Sequence, residues 1–401
     1  MSIRISTSAM HDLAVAAMLR QQAALSKTQN QVASGKRVQT PADDPVAAAQ
    51  LYELSRTQSQ VEQFNKNSAA ATGRLQLEEQ GLADAGTVLQ RVRELVVQAN
   101  TSTLTDADRQ SIATELKSRI AELQDVANRK DANGDYLFAG YAAGTQPFVR
   151  GSSGAMGYFG DAGVRQIQVD GSQYVNDGDA GSSVFMDIAA GNGVYTAAAA
   201  AANTGSGILD PGSVVDRSQW VPDNYTISFT SASTWQVTDS SGGPPVASGN
   251  YISGGAIAFR GVQLQISGVP AAGDQFSVRT AGTQDVFTTL DGVVAALQSG
   301  ASNDTTRAQL ASALNGSLQQ IDRASDHLLA VRASVGARLL VLSDGDGARQ
   351  SQSTDLATAV SGLQDLDYAS AISKMSQQMV GLQAAQQSYA STSKLSLFNY
   401  L

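Results

Sequence analysis

A seven-residue apolar repeat governs what this chain can fold into. Between Asp44 and Asn100, the residues Leu54, Val61, Ser68, Leu75, Leu82, Leu89 and Val96 recur every seventh position. Thr57, Phe64, Ala71, Glu78, Ala85, Val92 and Ala99 follow each of them by three. That spacing draws one stripe along an α-helix. No proline interrupts it after Pro45, and Asp44-Pro45 supplies an N-cap with proline in the first helical position. Unbroken, the helix would extend roughly 80 Å at about 1.5 Å per residue. Such an element cannot wrap one compact core, so its stripe requires other helices along its length.

The chain offers those helices on both sides of a different kind of sequence. An arm from Ser8 to Ser34 carries His11, Val15, Met18, Gln22, Leu25, Gln29 and Val32 by fours and threes, and stops at Gly35. Thr105-Asp-Ala-Asp108 resembles a capping box, followed by the stripe Ile112, Leu116, Ile120, Leu123 and Ala127, with Asn133-Gly134 as the exit. From there to about Gly282, Gly, Ser, Thr and Asn become frequent. Alternating runs at 165–169, 225–229, 235–238, 257–259, 262–266 and 275–279 read as strands joined by Gly-rich turns. The alanine run at 197–202 fits a helical turn or a loose loop equally.

Helical periodicity returns near Asp285. Leu314, Leu318, Ile321, Ser325, Leu328, Arg332, Val335, Leu339 and Leu342 form a stripe matching the long helix. A Gly-containing break is expected at 343–347, then a last helix bearing Ile372, Met375, Met379, Leu382, Gln386 and Tyr389. The chain ends in Leu395, Leu397, Phe398, Tyr400 and Leu401, an apolar terminus of the kind that docks against something. The expected fold is therefore mainly α with a β insert, its N- and C-terminal helices paired in a coiled-coil or bundle rod. The expected domains are terminal coiled-coil arms (1–43 plus 352–401), a helical rod (44–149 plus 284–351) and an outward-facing β domain (150–283).

Each arm has only four to six substantial apolar seam residues, worth roughly 1.5–3 kcal/mol apiece when buried. Ordering a residue costs roughly 1–2 kcal/mol of backbone entropy, so a lone helix pair with glutamines in its seam is weak and the arms call for neighbours. Residues 1–40 carry a net +4 and residues 352–401 a net −1, which weakly favours the arms meeting. Val15, Met18, Leu25, Val32, Ile372, Met375, Met379, Leu382, Tyr389, Leu397, Phe398, Tyr400 and Leu401 are the candidates for a subunit interface.

Composition narrows the chemistry. With 27 Lys+Arg against 36 Asp+Glu, a net charge of −9 and a pI near 4.8, the 401-residue chain is not expected to bind nucleic acid or an anionic membrane. The absence of cysteine excludes disulfides, thiolate catalysis and Cys-ligated metal. No stretch approaches the roughly 18–20 apolar residues of a membrane span, and Leu13–Leu19, abutted by Asp12, is short for a cleaved signal. The two histidines, His11 and His327, lie far apart on helical stretches, and there is no G-x-S-x-G. Asp131-Ala-Asn133-Gly-Asp135 imitates the start of a calcium loop but has Tyr136 at the sixth position and Ala142 at the twelfth. No catalytic, cofactor or metal site is expected.

Several segments nevertheless match a known pattern. Gln31-Val-Ala-Ser-Gly-Lys-Arg-Val38 with Pro41-Ala-Asp-Asp-Pro45 resembles the amino-terminal signature of the bacterial flagellin superfamily, and Glu115 to Gly134 its next helical stretch. Tyr136-Leu-Phe-Ala-Gly140, Pro147-Phe148, Tyr158-Phe-Gly-Asp161 and Gly273-Asp-Gln-Phe-Ser-Val278 resemble the hook-associated protein 3 branch more than filament flagellin. So do Arg332-Ala-Ser-Val-Gly-Ala-Arg338, Asp365-Leu-Asp-Tyr-Ala369 and Leu395-Ser-Leu-Phe-Asn-Tyr-Leu401.

The resemblance implies a non-enzymatic structural part of the flagellum at the hook-filament junction, outside the cell, with the terminal helices lining an inner tube. It implies export through the flagellar type III apparatus without a cleaved signal. The implied partners are other copies of the chain, the preceding hook-associated protein, flagellin, and a cytoplasmic chaperone on the C-terminal region. Filament flagellin is the alternative within the class. A glycan-binding or hydrolytic β module on a helical stalk is the alternative outside it.

Overall fold

The computed structural model describes residues 7–394, which include six α-helices. They are α1 (Thr7–Ser34), α2 (Pro45–Ala99), α3 (Asp106–Ala127), α4 (Val286–Gln298), α5 (Asp304–Gln364) and α6 (Tyr368–Lys394). The chain divides into two compact units, one of residues up to Lys66 and from Gly345, the other Asn67–Asp344; α2 and α5 lend residues to both. The β-rich insert lies between α3 and α4, as the composition change predicts.

In the larger unit the heptad reading holds closely. Leu75, Leu82, Leu89 and Val96 of α2 and Leu314, Ile321, Leu328, Val335 and Leu342 of α5 are all buried in one core. Ile112, Leu116, Ile120 and Leu123 of α3 and Phe287, Leu290 and Val293 of α4 complete it. Each fully buried side chain of this size is worth roughly 1.5–3 kcal/mol. The start of α3 is a full capping box between Thr105 and Asp108. Its end differs from expectation: the helix stops at Asn128, whose side chain leaves the helix to pair with the Phe148 backbone (2.8 and 2.9 Å).

The first part of the insert serves the helical core. β1 (Phe148–Arg150) and β2 (Met156–Tyr158) form one hairpin, β3 (Gln166–Gln168) and β4 (Tyr174–Asn176) another. Met156, Val169, Val175, Phe148 and Phe185 are buried with the helices, and Phe148 and Phe185 stack edge-on at 5.5 Å. The calcium-like stretch is an Asx turn: Asp131 accepts the Asn133 and Asp135 N–H groups (2.8 and 3.1 Å) while its other oxygen pairs with Arg74.

After β5 (Ile188–Ala189) come β6 (Tyr195–Ala199), β7 (Ile208–Val214), β8 (Tyr225–Ser231), β9 (Thr234–Thr238) and β10 (Ala247–Asn250). β11 (Ala256–Phe259), β12 (Val262–Ser267), β13 (Gln275–Thr280) and β14 (Thr283–Gln284) follow. A five-stranded sheet of order β10-β9-β8-β13-β6 and a three-stranded sheet β11-β12-β7 enclose a second core around Tyr195, Phe229, Leu264 and Phe276. β14 returns to pair with β5. The alanine run therefore enters a strand, β6, fixed by its register against β13.

The Gly-containing break expected at 343–347 is absent, and α5 runs through it to Gln364. The glycine at 345 has a packing role instead. A Cβ there would lie 2.9 Å from Arg349 Nη1, and Arg349 is buried, bonded to Asn65 Oδ1 (2.8 Å) and paired with Asp346. The interruption falls at 365–367, where α6 is capped by Asp367 accepting the Ala369 and Ser370 N–H groups.

Candidate assembly surface

The smaller unit brings together the two segments farthest apart in sequence. α1 ends at Gly35, whose φ of 70° turns the chain in the left-handed region that a Cβ disfavours. Residues 35–37 then run antiparallel to 364–366. The Arg37 N–H donates to the Gln364 carbonyl (2.6 Å) and the Leu366 N–H to the Gly35 carbonyl (3.0 Å). The Arg37 guanidinium reaches the Leu363 carbonyl (2.7 Å) and Asp44 (3.2 Å).

The entry to α2 is tied to the same corner. Asp43 pairs with Lys27 (2.8 Å) and accepts the Thr40 and Gln39 N–H groups (2.9 and 3.1 Å). Lys27 first, then those N–H groups, hold its carboxyl well below the usual carboxylate range. Asp44 caps α2 by accepting the Ala47 N–H at 3.0 Å, which chiefly lowers its carboxyl too. Their basic partners Lys27 and Arg37 are exposed, so these pairs fix the geometry of the turn more than they add energy.

From the corner, α1 and α6 pack antiparallel. His11 meets Tyr389 edge-on at 5.5 Å, and the Gln21 side chain donates to the Gln378 carbonyl (3.4 Å). The packed positions are His11, Ala14, Met18, Gln21, Leu25, Thr28 and Val32 on α1, and Ala371, Met375, Gln378, Leu382, Ala385 and Tyr389 on α6. This corrects the seam at alternate positions by one residue. Val15, Gln22, Gln29, Ile372, Met379 and Gln386 stand outside it, because Ala14, Ala371 and Ala385 let the backbones approach and Gln21 lies over Gly381, 2.9 Å from where a Cβ would be.

The interface candidates thus divide. Met18, Leu25, Val32, Met375, Leu382 and Tyr389 pack within the pair; Val15, Ile372 and Met379 face outward. Leu397, Phe398, Tyr400 and Leu401 lie outside the described residues. The pair also exposes Leu13 (60%), Leu19 (61%) and Val380 (64%), which lie outside the seam on both helices. Val15 and Leu19, four apart, share one flank of α1; Ile372 and Met379, seven apart, share one flank of α6. Single exposed aliphatic residues are ordinary, but a helix pair flanked this way on both members has the makings of a contact surface.

Elsewhere, His327 Nε2 lies 2.7 Å from the Ser183 carbonyl. Among the described residues no three metal-ligating side chains converge, and no helix is long and apolar enough to cross a membrane.

The model of the bacterial flagellin N-terminal helical region matches residues 5–143, and that of the flagellar hook-associated protein 1 D2-like domain matches residues 198–280. The crystal structure of FlgL from Xanthomonas campestris is 38% identical, with a TM-score of 0.72 over 77% of this chain and 99% of that one. The flagellar junction protein FlgL from Legionella pneumophila is 33% identical, with a TM-score of 0.72 over 79% and 100%. Flagellar hook-associated protein 3 of Salmonella typhimurium is 27% identical over 99% of both chains. The flagellin of Listeria monocytogenes is 30% identical over only 33% of this chain and 46% of its own.

Proposed function

The chain belongs to the flagellar hook-associated protein 3 (FlgL) family, and from that premise we propose that α1 and α6 are an unfinished coil completed by neighbouring subunits. The protein is a structural component of the bacterial flagellum at the hook-filament junction. The similarity to flagellin stops at about a third of the chain, which disfavours the filament reading.

One observation carries the proposal. A helix pair stitched at its corner still leaves Leu13, Val15, Leu19, Ile372, Met379 and Val380 uncovered, on elements whose own seam contains Gln21, Thr28 and Gln378. Burying those flanks against adjacent helices supplies the apolar area that the pair lacks by itself. The occupants are further copies of this chain, the preceding hook-associated protein and flagellin. Type III export without a cleaved signal, and a chaperone on the C-terminal region, complete the reading.

The test is complementation of a strain lacking this chain with Leu19→Asp and Ile372→Asp variants. We expect helical content and the unfolding midpoint to stay close to the parent, hooks to form, and flagellin to be shed into the medium. Filaments anchored normally by both variants would refute an assembly role for these flanks.

A further inference from the structure

Helix α2 carries an acid in its buried stripe. Glu78 stands at a heptad position otherwise filled by apolar or small residues, and it is 1% exposed. Its Oε1 accepts the Asp179 backbone N–H at 3.1 Å; its Oε2 has no hydrogen-bond partner. An ionised carboxylate so placed has lost water from one oxygen without replacement, and burial of this kind is normally relieved by protonation.

The surrounding charges do not supply a counter-ion for Glu78 alone. On its own helix, Arg74 is engaged by Asp131 (2.9 Å) and the Tyr136 and Leu137 carbonyls. From α5, Arg338 pairs with Asp179 and reaches the Asn176 carbonyl (3.3 Å). Asp177, also buried, is held by Arg165 (Nε at 2.8 Å). Gly178 brings the loop backbone close, with its Cβ position 3.7 Å from Glu78 Oε2. Burial first, then the Asp179 carboxylate, push the Glu78 carboxyl up to about 8, against the pull of Arg338.

We propose that Glu78 keeps its proton in the folded chain, and that its protonated carboxyl is a pH-sensitive latch fastening residues 176–180 to α2 and α5. With the proton in place, Glu78 donates toward the Asp179 side chain while accepting its N–H, and the Arg338–Asp179 pair is undisturbed. Without it, two carboxylates face each other and the segment loosens. The unfolded chain gives up this proton near the ordinary value of 4.5, the folded chain only near 8. Between these limits the folded state binds more protons, so stability falls as pH rises, by up to a factor of ten per unit in the folding constant, and levels off above about 8.

Urea unfolding of the full chain from pH 5 to 9, beside a Glu78→Gln variant, tests this. Glutamine keeps one donor and one acceptor and titrates neither. The variant-to-parent ratio of folding constants should climb up to tenfold per pH unit and flatten past about 8; a pH-independent ratio overturns the proposal. A second readout covers the case in which the variant does not fold. The parent's infrared spectrum should keep a protonated-carboxyl band at neutral pH that disappears near pH 8, and amide-exchange protection at Asp179 should fall over the same interval. Absence of the band, or protection unchanged to pH 9, overturns it equally.

Discussion

Gly35→Ala isolates the corner where the two ends of the chain meet. Gly35 sits at φ 70°, and placing a residue with a Cβ there costs about 1–2 kcal/mol. A second cost comes from Tyr368, whose Oη lies 2.8 Å from the Cβ position. That oxygen is the tip of a half-exposed side chain that can swing aside, so the backbone decides the total. A loss of 1–2 kcal/mol lowers the closed-to-open ratio about 5- to 30-fold. The readout is amide exchange at Arg37 and Leu366, the two N–H groups that close the corner. Their protection should drop by that factor while Leu89, deep in the other unit, is unchanged. In a Tyr368→Phe background the drop should be nearly the same, since removing the hydroxyl abolishes the contact and leaves the dihedral. No drop in Gly35→Ala would refute the argument; a drop that vanishes with Tyr368→Phe would show that the contact dominates.

The paired glycines of α5 should respond oppositely to alanine. Gly347 has nothing within 4 Å of its Cβ position, so Gly347→Ala should stabilise by about 0.4–1 kcal/mol. Gly345→Ala gains the same propensity but displaces a buried guanidinium whose hydrogen bonds are worth about 1.5–3 kcal/mol, so thermal unfolding should show a net loss. Leu89→Ala, at a fully buried seam position, should cost about 2–5 kcal/mol in urea unfolding. The lowered carboxyl of Asp43 implies that its contribution is complete above the ordinary carboxylate value and is lost as pH falls through the depressed one. Asp43→Asn should therefore remove part of the acid sensitivity of corner-amide protection; unchanged acid sensitivity would count against the Lys27 pairing.

How much of this was legible depended on side-chain contrast. The stripes of α2 and α5 stood out because leucine and valine recur against charged neighbours, and the structure buries those positions. The seam of α1 was ambiguous because Gln21 adjoins Gln22, Thr28 adjoins Gln29, and Ala14 adjoins Val15. Hydrophobicity favours Val15 over Ala14 and does not separate Gln21 from Gln22, whereas close packing of two helices takes the small Ala14 and Thr28. Gly345 and Gly347 looked like a stop because glycine is a poor helix former. Only the buried Arg349 explains why one of them is needed inside a helix. The alanine run at 197–202 had no pattern of its own, and its strand exists through pairing with β13. Glu78 falls in the α2 stripe by spacing alone; nothing local in the sequence marks its neighbour as Asp179, about a hundred residues on.

Two of the segments that carry the family resemblance, 31–45 and 365–369, lie largely outside the heptad stripes, and the structure gives a physical reason for their distinctiveness. Gly35 must be free of a Cβ, Arg37 must reach both the end of α5 and the cap of α2, Asp43 must bind Lys27 and two backbone amides, and Asp367 must cap α6. A heptad seam tolerates exchange among apolar residues of similar volume. A turn that joins four helix ends does not, because each residue there has a specific donor, acceptor or dihedral to satisfy. The signature therefore records where the chain reverses, and the exposed flanks of α1 and α6 leave their mark only as exchangeable aliphatic residues. It follows that substitutions in the corner should lower the protein's own stability before they affect assembly, whereas charged substitutions at Leu19 or Ile372 should do the reverse. Measuring unfolding and flagellin shedding on the same variants separates the two.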